Sequence, residues 1–311
     1  MRTIVVGMGV QGQKRRRYAS ADVVATVDPD ETRSAEYRDL VDVPLDTFDA
    51  ALLCVPDAPK MGMLRYLLGN AKHVLVEKPL WAEDEAHISE IQSLARARGV
   101  VCYTAYNHRF EPHFVRMRDV LATNRLGRIY SCRMFYGNGT ARLVRESEWR
   151  DEGAGVVTDL GSHLLDTVRF WFGDLSDDWR VWSANRFENR APDHAVIALT
   201  SGHLRIECEI TLLMWRNHFT CDVLAENGSA HISSLCKWGP STFTHRTRAV
   251  PAGRPEEEVV TEPEGDPTWA LEYAHFSALV RNRVPADLSG DVWLHRNLRR
   301  LGSEAMLIAR P

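Results

Sequence analysis

The sequence is 311 residues long, which exceeds the usual size of a single domain and predicts two domains. Its 38 Lys and Arg residues against 42 Asp and Glu residues give a formal net charge of −4. That charge provides no general attraction to nucleic acid or to an anionic membrane, so we expect neither as a partner. No apolar stretch approaches the roughly 20 residues that span a bilayer, and a signal-peptide pattern is lacking, so we expect a cytoplasmic protein.

The first hundred residues alternate short apolar runs with segments that can form helices. The runs are Thr3–Val6, Val23–Val27, Ala50–Val55, His73–Val76 and Val100–Tyr103. Because these runs lack polar alternation, they predict strands buried on both faces, in a doubly wound parallel sheet covered by helices. The polar segment 28–48 leaves little room for a full helix between two of the strands. We expect residues 1–105 to form this α/β domain.

After about residue 105 the pattern changes. The strand candidates 128–135, 194–200 and 204–213 partly alternate polar with apolar residues, as is typical of antiparallel strands with one exposed face. Segment 239–267 is rich in Pro, Gly, Thr and Glu and is expected to be irregular, whereas 268–279 and 292–308 have helical periodicity. We expect residues 106–311 to form an α+β domain with a largely antiparallel, open-faced sheet.

Six cysteines are scattered along the sequence, and none forms a CxxC pair or lies at the close Cys/His spacing typical of zinc sites. We interpret them as reduced and mostly structural residues, and we expect no bound metal.

A glycine-rich turn follows the first predicted strand, with the sequence Gly7-Met8-Gly9-Val10-Gln11-Gly12. Between a strand and a helix, this GxGxxG pattern predicts dinucleotide binding. The first glycine permits a tight turn, the second admits the pyrophosphate, and the third lets helix and strand pack closely. The helix N-terminus then faces the phosphates. We therefore expect a Rossmann domain in which Gly7, Gly9, Val10, Gln11 and Gly12 contact the cofactor.

Asp28 ends the second predicted strand, where a carboxylate accepts hydrogen bonds from the hydroxyls of the adenosine ribose. Asp30 and Glu31 add negative charge that repels a ribose 2′-phosphate. The sequence therefore favours NAD, although Arg33 leaves NADP as an alternative.

A basic run, Lys14-Arg15-Arg16-Arg17, opens the first predicted helix. Four successive cations span all faces of a helix, so they cannot all bind one ligand. One interpretation is a solvated surface. The other is that one or two of them, Arg15 among them, reach an anionic substrate.

Two further motifs carry candidate chemistry. Lys78, in Glu77-Lys78-Pro79, lies near the carboxyl end of a predicted parallel strand, where doubly wound sheets bind ligands. In a helix that starts at Thr158 or Asp159, the i,i+4 spacing puts Asp159 and His163 on one face, with Asp166 one turn further on. A capped helix with a satisfied histidine and a metal site built from these three side chains remain alternatives.

Four ordered motifs together resemble the Gfo/Idh/MocA family of nicotinamide-dependent oxidoreductases. They are the glycine-rich turn 7–12, Glu77-Lys78-Pro79, the segment Asn107-His108-Arg109-Phe110-Glu111-Pro112, and 155–166 with its DxxxH core. The resemblance covers nearly the whole length. It implies that Lys78, Asp159 and His163 are catalytic, that Lys78, Glu77 and Pro56 contact the cofactor, and that Pro79 follows a cis peptide. It also implies a homodimer or homotetramer. Asp57 and Lys60 depart from the Asn and His that relatives often show.

An oxidoreductase that removes a hydroxyl proton as hydride leaves the same carbon needs a base and a cation at one oxygen. We assign His163 as general acid/base, since a histidine has an ordinary pKa of about 6.5. Lys78 then stabilises the developing alkoxide, and Asp159 positions the hydroxyl or adjusts the electrostatics. The assignments of Lys78 and His163 are interchangeable at this point. The expected enzyme is an NAD-dependent sugar dehydrogenase that acts on a CH–OH group.

The substrate prediction depends on cations near the catalytic helix. Candidate substrate contacts are Arg15, Arg142, Arg145, Trp149, Arg150 and Asp166. Arginine forks suit phosphate oxygens, so we predict a nucleotide sugar. Resemblance to sugar-nucleotide members of the family suggests the 3-hydroxyl of a UDP-linked N-acetylhexosamine such as UDP-N-acetylglucosamine, in surface-polysaccharide or lipid-sugar biosynthesis.

Three alternatives remain open for the substrate and the function. The arginines belong to surface ion pairs with Glu146, Glu148 and Asp151; the enzyme oxidises a free inositol, polyol or aldose; or the chain is a non-catalytic NAD-binding sensor or scaffold.

Overall fold

The computed structural model describes residues 1–147 and 150–311, so the predicted substrate contact Trp149 lies outside the described residues. The strands are β1 Thr3–Val6, β2 Val23–Val27, β3 Ala50–Leu53, β4 His73–Glu77, β5 Cys102–Ala105, β6 Ile129–Gly137, β7 Arg180–Asn185, β8 His194–Ser201, β9 Leu204–Thr211, β10 His218–Ala225, β11 Gly228–Ser233, β12 Ser241–Thr247 and β13 Glu256–Glu262. The α-helices are α1 Val10–Ala19, α2 Asp57–Gly69, α3 Glu85–Arg98, α4 Pro112–Ala122, α5 Ala141–Arg145, α6 Val156–Phe172, α7 Thr268–Arg281 and α8 Ser289–Ile308. None of these helices in the described part of the chain is long and apolar enough to cross a bilayer.

The first sheet is parallel throughout, with strand order β2-β1-β3-β4-β5. Successive side chains of its strands point to opposite faces: Ile4 and Val6 pack in one core, and Val5 packs in the other. Helices α2 and α3 contribute to the first core, and Phe276 of α7 contributes to the second. The predicted doubly wound parallel sheet is confirmed.

The segment between β2 and β3 is shortened, as its polarity predicted. It contains two 3-10 turns, Leu40–Asp42 and Leu45–Thr47, where a full crossover would hold an α-helix. The buried side chains of Leu40, Val43 and Phe48 cover the adjoining core. A few apolar residues therefore replace the missing helix.

The second sheet has eight strands in the order β13-β12-β11-β10-β6-β9-β8-β7. All residues of these eight strands are described. Strands β6 and β9 pair in parallel, and the other neighbouring strands of the sheet pair antiparallel. Helix α6 packs on one face through its apolar side. The opposite face carries exposed residues such as Trp182 and Arg133. The predicted largely antiparallel, open-faced sheet is confirmed.

Contacts divide the described chain into two compact units, one of residues 1–107 and 267–295 and one of residues 108–266 and 296–311. Residues 267–295 were expected in the second domain, 106–311. Instead, α7 packs with α1 and covers one face of the first sheet. The physical reason is that this face lacks a full helical layer of its own and would otherwise expose residues such as Leu52 and Leu75.

The expectation of an irregular segment over 239–267 was wrong. This segment forms β12 and β13, which extend the second sheet to its edge. The buried side of β12 holds a single apolar residue, Phe243, and β13 carries Glu256, Glu257 and Glu258. Charged residues protect an edge strand from pairing with other chains. In a sequence, a segment rich in such residues resembles a loop, which is why the strand was missed.

The cysteines have the environment expected of core residues. Cys54 is partly buried and the other five are buried. Burial raises the pKa of the Cys208 and Cys221 thiols well above the ordinary value, which disfavours a reactive thiolate.

Candidate active site

The glycine-rich turn joins β1 to α1 and requires glycine at two positions. Gly7 has φ +89°, and a Cβ there would overlap the carbonyl oxygen of Cys54. A Cβ on Gly12 would overlap the carbonyl oxygen of Gly7, so this glycine lets α1 pack against the turn. Helix α1 begins at Val10 with Gly9 as its N-cap, and glycine has no side chain to occupy the first N–H groups. The turn therefore fits the pyrophosphate of a dinucleotide.

The Asp28 carboxylate fastens the end of β2 to this turn. It accepts hydrogen bonds from the backbone N–H of Met8 at 2.6 Å and of Asp30 at 2.9 Å. The guanidinium of Arg33 lies 3.3 Å from the same carboxylate, whose side chain is 5% exposed. Oδ2 accepts from both Met8 and Arg33, whereas Oδ1 accepts from the N–H of Asp30 and has a second lone pair that suits a ribose hydroxyl. The cofactor role of Asp28 stays a prediction that this geometry permits.

A cavity of about 610 Å³ adjoins the turn, lined in part by Met8, Gln13, Arg16, Thr32 and Arg33. Its volume falls in the range of about 300–1,000 Å³ that is typical of small-molecule sites. Because it lies beside Met8, whose N–H binds Asp28, it is the candidate site for the adenosine end of the cofactor.

Arg15 does not have the environment predicted for a substrate contact. Its side chain is 2% exposed, and it donates to Glu77 at 2.7 Å and to Glu272 at 2.6 Å. Its guanidinium also lies 4.3 Å from the ring centroid of Trp269. A buried cation needs such partners to offset its desolvation. The prediction that Arg15 binds substrate is therefore corrected: it is a structural ion pair, and Glu77 is its partner.

Lys78 lies directly after β4, half-buried, and the Lys78–Pro79 peptide is cis, as the resemblance implied. The ammonium of Lys60, a residue 2% exposed, donates to the carbonyl oxygen of Pro79 at 2.9 Å and to Asp57 at 2.6 Å. The two residues that depart from the family pattern therefore fix the turn that carries Lys78. Sequence reasoning missed this role because α2 and the turn meet only in the folded chain. Pro56, the predicted cofactor contact, is the N-cap of α2.

Helix α6 brings Asp159 and His163 onto one face, as the i,i+4 spacing predicted. The helix begins at Val156, two residues before Thr158, the earlier of the two expected starts. Its N-cap, Gly155, has φ +50°, and a Cβ there would overlap the carbonyl oxygen of Pro192. His163 is 9% exposed, whereas the side chain of Asp159 is 37% exposed. A buried imidazole with a more accessible carboxylate one turn away suits proton transfer.

The predicted arginines differ in their surroundings. Arg150 lies 3.4 Å from the Asp159 carboxylate. Arg142 and Arg145 are exposed on α5, whose buried residues are Ala141 and Val144. The structure therefore connects Arg150 with the predicted catalytic face, while Arg142 and Arg145 stay predictions.

Asp166 is also placed differently from its prediction as a substrate contact. Its side chain is 1% exposed and forms two hydrogen bonds with Arg109, at 2.9 Å and 2.5 Å. Burial raises the pKa of the Asp166 carboxyl, and Arg109 opposes that rise. Asp166 therefore holds α6 to the segment before α4. Within residues 1–147 and 150–311, no group of three His, Cys, Asp or Glu side chains has the arrangement of a metal site.

An aromatic cluster surrounds His163, and sequence reasoning did not assign it a role. The His108 ring stacks on the His163 ring, with centroids 4.1 Å apart and planes at 21°. Tyr136 of β6 lies 6.1 Å from His163 and 5.5 Å from His108, again between ring centroids. Burial, together with the Asp159 carboxylate, raises the pKa of the Tyr136 hydroxyl. The sequence offered one signal, the 107–112 motif, but no partner for it.

Comparison with protein families gives two matches. Residues 1–106 match the NAD-binding Rossmann fold of the Gfo/Idh/MocA oxidoreductase family, and residues 114–231 match a C-terminal domain of the same family. A curated relative, trans-1,2-dihydrobenzene-1,2-diol dehydrogenase of Macaca fuscata fuscata, is 28% identical over 177 residues, covering 56% of this chain and 51% of the relative. The chain spans about half or less of the length of the first curated relatives it matches.

Solved structures share the fold over almost the whole chain. UDP-N-acetylglucosamine 3-dehydrogenase from Acidithiobacillus ferrooxidans has a TM-score of 0.81 at 16% identity, covering 99% of this chain and 98% of that one. A levoglucosan dehydrogenase in complex with NADH has a TM-score of 0.82 at 16% identity, covering 99% and 97%. The chain thus belongs to the Gfo/Idh/MocA family of oxidoreductases, with the family's NAD-binding Rossmann domain at residues 1–106.

Proposed function

We propose that this chain is an NAD-dependent dehydrogenase that oxidises a secondary hydroxyl of a carbohydrate. The observation that carries the proposal is the α6 face, where buried His163 and the more accessible Asp159 lie one turn apart. The nearly buried imidazole of His163 also stacks on a second imidazole, that of His108. Membership of an oxidoreductase family supports the same reaction class.

The reaction converts the CH–OH group to a ketone with loss of one proton and one hydride. Bound NAD supplies the hydride acceptor. His163 takes the hydroxyl proton, since imidazole is uncharged and basic near neutral pH. Lys78 donates a hydrogen bond to the same oxygen and stabilises its developing negative charge. Asp159 accepts a hydrogen bond from a substrate hydroxyl and thereby orients the sugar ring.

For the cofactor, the glycine-rich turn would hold the pyrophosphate and Asp28 the adenosine ribose. The tight turn that requires glycine at positions 7 and 12, and the second lone pair on Oδ1 of Asp28, support this assignment. Pro56, at the N-terminus of α2, and Lys78, after β4, would line the nicotinamide end.

In its finer form, the proposal names the 3-hydroxyl of a UDP-linked N-acetylhexosamine as the reacting group. Arg150 beside Asp159 offers a guanidinium for a phosphate oxygen, and Arg142 and Arg145 lie a few residues earlier in the sequence. A UDP-N-acetylglucosamine 3-dehydrogenase with the same fold agrees with it.

The second candidate is a free sugar, anhydrosugar or polyol. The observation in its favour is that Arg150 is already engaged by Asp159, which leaves less of its charge for a diphosphate. The levoglucosan dehydrogenase with the same fold agrees with this alternative.

The test is a steady-state assay at 340 nm in which NAD and NADP are each paired with UDP-sugars, free aldoses, inositols and anhydrosugars. Reduction of NAD by a UDP-N-acetylhexosamine, with KM raised at least tenfold by Arg150→Met, is the expected result. Turnover of free sugars alone, insensitive to Arg150→Met, would overturn the nucleotide-sugar form.

A protein that binds NAD by calorimetry but reduces it with none of these compounds would overturn the enzymatic proposal itself. That outcome would favour a sensor, whose binding of NAD survives the Lys78→Ala substitution.

A further inference from the structure

The only lysine of the second unit, Lys237, contacts the histidine that stacks on His163. Lys237 lies in the loop between β11 and β12. Its Nζ atom is 3.1 Å from Nε2 of His108. His108 is 2% exposed and Lys237 is half-buried, so this contact is partly shielded from water. The arrangement is a short line of groups, ammonium to imidazole to imidazole, that ends at the proposed base.

From this geometry we propose that Lys237 and His108 are positioning residues that keep His163 in its uncharged, proton-accepting form. The inference rests on the proposed role of His163 as the base. It concerns the second unit alone, and each contact that supports it lies within residues 108–266.

The hydrogen bond to Lys237 determines the protonation state of His108. An ammonium has only donors, so Nε2 of His108 must present its lone pair, and the ring carries its proton on Nδ1. Protonation of Nε2 would place an N–H group and positive charge against the ammonium. A charged Lys237 therefore favours the neutral form of His108.

The surroundings of Lys237 favour its charged form. Its Nζ atom lies 4.9 Å from the ring centroid of Trp238, a cation–π distance. The carboxyl groups of Glu111 and Asp266 act on the same loop, since both influence the neighbouring Cys236 thiol. Lys237 itself lowers the pKa of Glu111, which burial raises.

The loop is fixed where it approaches His108. Glu111, 1% exposed, accepts hydrogen bonds from the backbone N–H of Cys236 at 2.9 Å and from its thiol at 3.1 Å. The carbonyl oxygen of Cys236 in turn accepts from the N–H of Gly265 at 2.9 Å. These bonds hold the residue before Lys237 on both sides, so the ammonium is directed at the His108 ring.

The charges that act on His163 come from several elements. Asp159, which favours an imidazolium, lies on α6 itself and is partly compensated by Arg150. Asp166 is paired with Arg109, and Tyr136 of β6 is kept neutral by its raised pKa. Lys237 adds positive charge behind the stacked ring and opposes protonation of His163. Protonation of His163 would place a second positive charge near the Lys237 ammonium. In a water-poor environment the repulsion between the two charges is strong.

The direct test follows the ring of each histidine by NMR in protein labelled at the histidine side chains, without substrate. His163→Gln and His108→Gln assign the two signals. In the wild type we expect His108 to remain the Nδ1–H tautomer, without titrating, between pH 5 and pH 9. In Lys237→Met we expect the titration midpoint of His163 to rise by at least about one pH unit, because one nearby positive charge is removed at an effective dielectric of about 20.

Two further variants separate charge from packing. Lys237→Gln retains a donor without the charge and should show the shift, whereas Lys237→Arg retains the charge and should not. Arg254→Met, which removes an exposed cation of the same unit, is the matched control and should leave both signals unchanged. Circular dichroism and thermal unfolding confirm that each variant is folded.

An unchanged His163 midpoint in both Lys237→Met and Lys237→Gln would overturn the inference, as would a wild-type His108 that titrates near pH 6.5. With an identified substrate, the acidic limb of kcat/KM should move upward by the same amount in Lys237→Met. If the protein turns over no substrate, the proposed function fails, while the NMR titration still decides whether Lys237 controls the stack.

Discussion

At the scale of single residues, the second unit concentrates its unusual groups around one side of α6. His163 and His108 are both nearly buried and stacked, and two carboxyls nearby, Glu111 and Asp166, have pKa values raised by burial. Such perturbed groups cost stability and are typical of functional sites. The residues nearest the proposed base are therefore the ones whose replacement discriminates best between chemistry and structure.

Replacement of His163 by Asn should reduce kcat by about 10²–10⁴-fold, the usual contribution of a general base, with NAD affinity retained. The measurement is steady-state kinetics combined with calorimetric titration of NAD. His203→Asn, an exposed histidine of the same unit, is the control and should keep full activity. A kcat within twofold of the wild type for His163→Asn would contradict the assignment.

Glu111 gives a pH-dependent prediction for stability. Its pKa is raised in the folded state, so the folded chain binds the proton more tightly than the unfolded chain. The stabilisation is present below the unfolded pKa of about 4.5 and is lost as the pH rises through the folded value. The free energy of unfolding of the wild type, relative to Glu111→Gln, should therefore fall with rising pH over this window, by at most about 1.4 kcal/mol per pH unit.

Urea unfolding of both proteins between pH 4 and pH 8 measures this difference. A wild type that gains stability relative to Glu111→Gln as the pH rises would show that the sign is wrong.

At the scale of elements, α6 is positioned by the shape of its N-terminus. Gly155 has a left-handed φ and lies against the carbonyl of Pro192. The N–H of Val156 donates to the same carbonyl oxygen at 2.8 Å. The start of the helix is thus fixed to the segment before β8. Since Asp159 lies in the first turn, its position follows from this anchor.

Gly155→Ala should destabilise the fold by about 2–4 kcal/mol, because it combines left-handed strain of about 1–3 kcal/mol with steric overlap. Gly153 is the matched control: its φ is +60°, and a Cβ there meets nothing within 4 Å. Gly153→Ala should therefore cost only the strain. Urea unfolding gives both free energies, and equal losses in the two variants would contradict the steric explanation.

At the scale of the whole molecule, the first unit is built from two separate parts of the sequence. Phe276 of α7 is fully buried in the core that also contains Val5, Leu52 and Leu75. Glu272 of the same helix is a partner of buried Arg15. A fragment that ends near residue 107 would expose this core and leave the Arg15 cation with one partner fewer.

We therefore expect residues 1–107 alone to lack a cooperative unfolding transition and to bind NAD at least tenfold more weakly than the full chain. The same fragment joined by a flexible linker to residues 267–295 should recover both properties. Circular dichroism and calorimetric titration measure them. Cooperative unfolding of the shorter fragment, with wild-type NAD affinity, would show that α7 is dispensable.

The sequence by itself determined the features that local pattern controls. Strands of the parallel sheet follow from unbroken apolar runs, the cofactor turn follows from glycines that no other residue replaces, and the shared face of Asp159 and His163 follows from helical spacing. The end of α3 at Gly99 is another example, since its left-handed φ of +64° favours glycine. These features require only residues that are close in the sequence.

Tertiary structure decided everything that depends on residues distant in the sequence. Arg15 and Asp166 were predicted to contact substrate because they are charged. In the folded chain both are buried, Arg15 in an ion pair with Glu272 and Asp166 in one with Arg109. The charged strand β13 resembled a loop until β12 supplied its pairing partner. Lys237 and His108 are 129 residues apart, and only the fold brings the ammonium to the ring. The energy of a charged side chain depends on its partners and its exposure, and the neighbouring residues in the sequence determine neither of them.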